Sequence, residues 1–296
     1  MQRFKKSNAN PILGDATTGT LFDVLVQKEG EKFRMDLSWR REKSLAVCYS
    51  DDGTHWSSPE ITLANNLSTG FEDIINRNCV LCVGEIWHMW YTGQARGYSF
   101  IGYATSDDGK SFNRASPEPV LISEYPYEGA SVMNPCVLYE DGIYKMWYAA
   151  GETFEPNVIA YAESTDGINW KKSKINPILA KSKLNKYEKN RIGVCQVLNV
   201  PELGYLMFYI GYKDINTACI CAALSQNGKT EWRRCVKNPL ITPSKFSWDA
   251  DSCYKPSALY DEKMGGWRIW YNGRRGNREY IGEAFMPGTF TKDDFI

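Results

Sequence analysis

Aromatic runs recur along the chain at nearly even spacing, and polar turns separate them. The runs are Phe33-Arg-Met-Asp-Leu-Ser-Trp39, Trp87-His-Met-Trp-Tyr-Thr-Gly93, Tyr144-Lys-Met-Trp-Tyr-Ala-Ala150, Tyr205-Leu-Met-Phe-Tyr-Ile-Gly211 and Trp267-Arg-Ile-Trp-Tyr-Asn-Gly273. Short aromatic and β-branched segments bounded by Gly, Asn and Asp predict strands. The clearest copy extends from Asn134 to Leu179. A strand ends at Tyr139, Asp141-Gly142 makes a hairpin, an aromatic strand runs through Tyr148, a third strand covers Ile159 to Ser164, and Asp166-Gly167 leads to a last strand closing at Leu179. Four antiparallel strands in about 45 residues make one propeller blade.

The third strand and its turn repeat as Ala46 to Trp56, Gly102 to Phe112, Ile159 to Trp170 and Ala222 to Trp232, with the turn glycines at 53, 109, 167 and 228. That is a period of about 60 residues, one blade plus its connection. In the S-x-D-G-x-x-W turn, Ser and Asp satisfy amides, Gly takes positive φ, and the aromatic packs back between blades. A proline-marked strand then ends each copy: Pro59 to Leu63, Pro119 to Ile122, Asn176 to Leu179 and Asn238 to Ile241. The last copy lacks this strand after Ala284, but Asn10-Pro-Ile-Leu13 carries it at the other end of the chain. The fold expected is all-β: a five-bladed β-propeller of four-stranded antiparallel blades, one domain over 1–296, closed by Asn10–Leu13 joining the last blade and removing its open edge.

Composition agrees, since 10 Trp and 18 Tyr can fill a large β core. With 35 basic and 35 acidic residues the net charge is zero. No global field then favours nucleic acid or membrane, neither is expected as a partner, and any electrostatic preference is local. No run approaches a transmembrane length and the first residues lack the apolar core of a signal peptide, so a cytoplasmic location is expected. Most of the nine cysteines lie in apolar strand runs as reduced core residues. Cys79 and Cys82, three apart in a strand, point to opposite faces and make a poor metal clip. With His55 and His88 the only histidines, neither a metal site nor a cofactor is expected.

Innermost propeller strands begin at the mouth of the central channel. Counting back from Asp36, Trp90 and Trp147 places Asp23, Arg77 and Asn134 at three such starts; Lys255 matches in the fifth copy and Val194 in the fourth.

The x-N/D-P strand start, the Y-x-M-W-Y-x-G strand and the I-x-Y-A-x-S-x-D-G-x-x-W…N-P-I-L ending resemble the five-bladed glycoside hydrolase superfamily: the arabinanase/xylosidase, invertase/levansucrase and mannoside phosphorylase families. The resemblance spans nearly the whole chain, through motifs that specify architecture more than reaction. It implies three carboxylates: an Asp base at the first blade start, an orienting Asp, and a Glu general acid from a later blade. Asp23 keeps the first. Asn134 stands where the second is expected, and Gly193-Val-Cys195 where the Glu is expected.

Catalysis would then draw on connection acids, with Asp23 as base or nucleophile and Glu128, then Asp73, as acid. Substrate contacts are expected from Arg77, Asn134, Glu152, Arg191, Asp251, Lys255 and Arg274, whose cations suit an anionic sugar or phosphate. The function expected is cleavage or transfer of a glycosyl unit, a furanoside or acidic sugar, from an oligosaccharide or glycoside. The alternatives are a non-catalytic glycan-binding propeller and a phosphorylase using inorganic phosphate.

Overall fold

The computed structural model describes residues 3–152 and 156–296, excluding the side chains of Val194 and Cys195. A short strand, β1 (Lys5–Lys6), precedes five antiparallel units. The first unit is β2 (Leu21–Glu29), β3 (Lys32–Trp39), β4 (Ser44–Ser50) and β5 (Glu60–Ala64). The second is β6 (Ile74–Val83), β7 (Ile86–Ala95), β8 (Tyr98–Ser106) and β9 (Asn113–Arg114). The third is β10 (Ser131–Glu140), β11 (Ile143–Gly151), β12 (Pro156–Ser164), β13 (Lys171–Lys172) and β14 (Leu179–Ala180). The fourth is β15 (Arg191–Val200), β16 (Gly204–Tyr212), β17 (Ala218–Ser225) and β18 (Arg233–Arg234). The fifth is β19 (Ser252–Asp261), β20 (Gly266–Arg275) and β21 (Arg278–Pro287), with β1 as its outer strand.

The first strands of the units touch in cyclic order, β2 to β6, β10, β15, β19 and back to β2. Each breaks register with its partner once, between Phe22/Leu25, Asn76/Asn78, Met133/Cys136, Val194/Gln196 and Tyr254/Ser257. A bulge leaves ladder groups unpaired, and the neighbouring unit satisfies them. Val26 N–H donates to Ser257 Oγ (2.8 Å) and Ala258 N–H to Gln196 Oε1 (2.6 Å). Val137 and Val197 N–H donate to Cys79 and Cys136 Sγ, at 3.2 and 3.1 Å. These two buried thiols are therefore more than core filler.

The S-x-D-G-x-x-W turns staple neighbouring units. Asp52, Asp108 and Asp166 each accept two backbone amides two and three residues ahead, and Asn227 does the same in the fourth copy. The turn glycine's carbonyl then accepts from the aromatic strand of the preceding unit in the ring: Trp270 to Gly53 (2.8 Å), Trp90 to Gly167 (2.7 Å) and Trp147 to Gly228 (2.7 Å). In β3, which lacks that Trp, Arg34 reaches Gly109 instead (2.6 Å).

The N-terminal segment lies against β21 with its regular strand at Lys5–Lys6, ahead of the expected Asn10–Leu13, which contributes a single bridge at Leu13. Asn10 uses its side-chain amide like a strand residue, accepting from Glu283 N–H and donating to Glu283 C=O at 2.8 Å each. Asn176 clasps Tyr161, and Asn238 clasps Ala222, in the same way. This explains why Asn precedes Pro in the repeated ending.

Candidate active site

In four of the five units the bulge places a residue in the left-handed region at the start of the inner strand: Asp23 (φ 59°), Arg77 (φ 38°), Asn134 (φ 55°) and Lys255 (φ 53°). Such backbone is uncommon for non-glycine residues and clusters at functional sites. It is held by pins from the neighbouring unit's second strand. Asp23 N–H donates to Asn272 Oδ1, Arg77 N–H to Ser38 Oγ and Asn134 N–H to Thr92 Oγ1, each at 2.9 Å. Ser38, Thr92 and Asn272 occupy the same register position of the repeated strand, two residues past Asp36, Trp90 and Trp270.

A cleft of about 760 Å³ opens at these strand starts. Its wall includes Phe22-Asp23, Ile75-Asn76, Met133-Asn134 and Tyr254-Lys255 from the bulges. Arg40, Gln94, Tyr212 and Arg274 join them from the ends of the second strands, four residues past the central position.

Lys255 is the centre of the charge arrangement. Its Nζ lies 3.4 Å from Asp23 Oδ1 and 3.4 Å from Glu279 Oε1. Both carboxylates are almost fully buried. The same ammonium sits 4.2 Å from the Phe22 ring and 4.8 Å from the Tyr254 ring, so an aromatic cage strengthens its hold on the position. The Tyr254 hydroxyl is pushed well above the usual phenol range by burial, reinforced by Glu279. It stays a neutral donor at ordinary pH. Arg274 is steered by Asn216 C=O (2.7 Å) and by Ser252 Oγ (3.4 Å).

Two buried carboxylates facing one cleft are the equipment of glycosidic bond chemistry. Because one nitrogen lies 3.4 Å from each, the two oxygens are at most twice that distance apart. This bound admits the ~5–5.5 Å separation of retaining enzymes and the short end of the ~6.5–9.5 Å inverting range.

Of the residues expected from sequence, the cleft gathers Asp23, Asn134, Lys255 and Arg274. Glu128 is elsewhere. It is fully buried, accepts from Glu124 and Tyr125 N–H and from Tyr148 Oη (2.8 Å), and pairs with Lys172 (2.8 Å). The carboxylate's lone pairs are used within its own unit, and it stands outside the cleft wall where a general acid was expected. The same brace recurs as Glu72 with Tyr91 and Arg114, Glu188 with Tyr209 and Arg234, and Asp249 with Tyr271 and Lys6. The acids before the inner strands are thus a fold motif.

Asp73 is exposed and outside the cleft wall. Arg77 is buried against the Val24 carbonyl (3.3 Å). Glu152 is exposed and 3.6 Å from Arg191, which also donates to Asn190 Oδ1 (2.8 Å) and lies over the Tyr212 ring. Asp251 accepts from Gly276 N–H (2.6 Å), holding the hairpin beside Arg274. None of these five lines the cleft. The side chains of Val194, the match in the fourth unit, and of Cys195 lie outside what the structure describes.

Sequence reasoning missed Glu279. It pairs with Arg274 at the start of β21, a position filled by Ser99 in β8 and Ala218 in β17, so no repeated motif marks it. The available signal was a lone acid breaking that column of the repeat.

An all-β ring of antiparallel units, with paired carboxylates at the mouth, defines a β-propeller of the glycoside hydrolase kind. The family model for the glycosyl hydrolases family 32 N-terminal domain matches residues 31–189, more than half of the chain, and the chain belongs to that family, within the five-bladed β-propeller glycoside hydrolase superfamily. It is therefore built as a carbohydrate-active enzyme. The match stops short of Asp23 on one side and of Lys255 and Glu279 on the other.

Among known proteins, the chain is 27% identical over 228 residues to uncharacterized protein MT1551 of Mycobacterium tuberculosis strain CDC 1551 / Oshkosh, covering 73% of each. Among solved structures, it is similar to a glycoside hydrolase at TM-score 0.79 and 15% identity, covering 98% of this chain and 94% of the other. It is also similar to a member of the GH130 family of mannoside phosphorylases, a family containing glycoside hydrolases that target β-1,2 mannosidic linkages in Candida mannan. There the TM-score is 0.73 at 15% identity, covering 95% and 93%.

Proposed function

We propose that the protein cleaves or transfers a glycosyl unit bearing an anionic group, in one propeller domain whose five units are its blades. Asp23 and Glu279 are the working carboxylates, and Lys255 with Arg274 holds the anion. The observation that carries this reading is the Lys255 ammonium between two buried carboxylates in an open cleft. One carboxyl assists the departing oxygen while the other attacks the anomeric carbon or activates water. A substrate carboxylate or phosphate would compete for Lys255 and free the pair for that work. Tyr212 and Tyr254 offer aromatic faces on the same wall.

Asn134, in place of the expected second Asp, favours a second reading, a propeller that binds glycans without turning them over. Asp23→Asn separates the two. Asn tolerates the left-handed backbone at this position, so the substitution removes the charge and spares the bulge. The enzyme reading expects kcat on an acidic-glycoside panel to fall about 10²–10⁴-fold, with ligand affinity measured by calorimetry kept within a few-fold. Unchanged turnover would overturn it, and binding without turnover in the wild type would establish the second reading. Product release that requires added inorganic phosphate would mark phosphorolysis, with Lys255 and Arg274 rather than the buried Arg77 receiving the phosphate.

A further inference from the structure

Zero net charge conceals a local imbalance on the rim beside the cleft. Four segments adjoin there in sequence around the mouth. Asn190 N–H bonds Tyr212 C=O and ties the connection at 181–190 to the β16–β17 hairpin. Arg274 and Ser252 both donate to Asn216 C=O and tie that hairpin to the fifth unit. Arg275 donates to Phe246 C=O (3.2 Å) and ties in the connection at 242–251.

Three large apolar side chains stand out from this rim: Leu184 at 93% exposure, Phe246 at 90% and Ile215 at 67%. Phe246 is also held at φ 62°, a strained backbone for an aromatic residue that nothing in its own packing rewards. Around them lie Lys183, Lys186, Lys189, Lys213, Lys245 and Arg275, all exposed and none in a salt bridge among the described residues. The nearby acids Asp214 and Asp251 keep their charge while accepting from Asn216 and Thr217 N–H and from Gly276 N–H, and the cations outnumber them.

We propose that this rim docks on an anionic lipid bilayer, with Leu184, Ile215 and Phe246 entering the headgroup layer and the surrounding cations meeting its charge. Separate apolar tips on projecting connections, with Lys183 and Lys245 next to Leu184 and Phe246 and Lys213 near Ile215 in sequence, suit shallow insertion into an interface whose anionic surface attracts Lys and Arg. A protein partner of ordinary affinity would call for a contiguous face of some 800 Å² on each side, which three isolated tips do not supply. Ile215 also lines the cleft, so docking turns the cleft mouth toward the headgroups. The proposal stands independently of the catalytic assignment.

The test is sedimentation of the whole protein with vesicles of phosphatidylcholine alone and of phosphatidylcholine mixed with phosphatidylglycerol. Binding is expected to the mixed vesicles only and to weaken as salt is raised. Phe246→Ser combined with Leu184→Ser, which leaves the cleft wall intact, is expected to weaken it at least about tenfold. Lys183→Glu with Lys186→Glu is expected to do the same through charge. Absence of vesicle binding overturns the proposal. So does vesicle binding that the apolar pair leaves unchanged, or preferential binding of a soluble acidic protein over the vesicles.

Discussion

At the scale of single residues, Lys255 carries the most information. Its backbone is in the left-handed region and its ammonium is shared by two carboxylates and two rings. A lysine in that position acts on charge, since an apolar residue of the same size would fill the space and leave the Asp23 and Glu279 carboxylates without their shared cation. Lys255→Met is expected to weaken acidic ligands at least about tenfold, the size of one lost charge-assisted bond, while neutral ligands of the same size change little. Calorimetry on matched acidic and neutral glycosides checks this, and equal losses would remove the anion from the account.

Asp23 and Asn134 were legible in the sequence because they stand at the same distance before the centre of the repeated aromatic strand, and Lys255 because Lys255-Pro256 matches Asn134-Pro135 once a longer hairpin is allowed. Glu279 was not. Its place on the wall depends on the pairing of β20 with β21, and its equivalents Ser99 and Ala218 share no chemistry with it.

At the scale of elements, the repeated turns and braces show how conspicuous residues can serve architecture. Asp108, accepting Lys110 and Ser111 N–H at 2.8 Å each, has its carboxyl held down to about 2, chiefly by those backbone amides. A carboxylate depressed in the folded state contributes stability above its unfolded pKa, and that contribution is lost as pH falls through the folded value. Asp52 and Asp166 are lowered in the same way. Stability is therefore expected to decline between about pH 4 and pH 2. Asp108→Asn should shallow that decline while leaving neutral-pH stability nearly unchanged, because Asn227 already makes the same turn. Thermal melts across that range provide the check. A steeper decline in the variant would contradict the assignment.

The turn motif was readable as a staple from its Ser, Asp, Gly and Trp alone. The braces were not readable. Glu72, Glu128, Glu188 and Asp249 look like loop acids until the Tyr and the basic partner, distant in sequence, are brought to them by the fold.

At the scale of the whole molecule, closure depends on the N-terminal segment. Lys6 supplies to Asp249 the cation that Arg114, Lys172 and Arg234 supply in the other braces, and Asn10 clasps β21. Lys6→Met is expected to cost about 3–5 kcal/mol, the usual penalty for leaving a buried charge without its partner. Chemical denaturation would measure it, and a shift under about 0.5 kcal/mol, the scale of an ordinary surface change, would show that Lys6 is dispensable. The repeat made the ring and its N-terminal closure legible. The reaction was less so, because the repeat specifies architecture, while Glu279 on the cleft wall stands at a position with no acidic counterpart in β8 or β17.

If chemistry belongs to the Asp23–Lys255–Glu279 cleft and the acids prominent in the sequence are braces, the two sets of carboxylates respond differently to removal of their charge. Turnover of Glu279→Gln beside Glu128→Gln, on one acidic-glycoside panel, tests this most directly. Glu279→Gln is expected to lose at least about 100-fold in kcat with its fold intact. Glu128→Gln is expected to lose about 1–3 kcal/mol of stability and to keep its kcat below its melting temperature. Full activity in Glu279→Gln, or a catalytic loss confined to Glu128→Gln, would contradict this division.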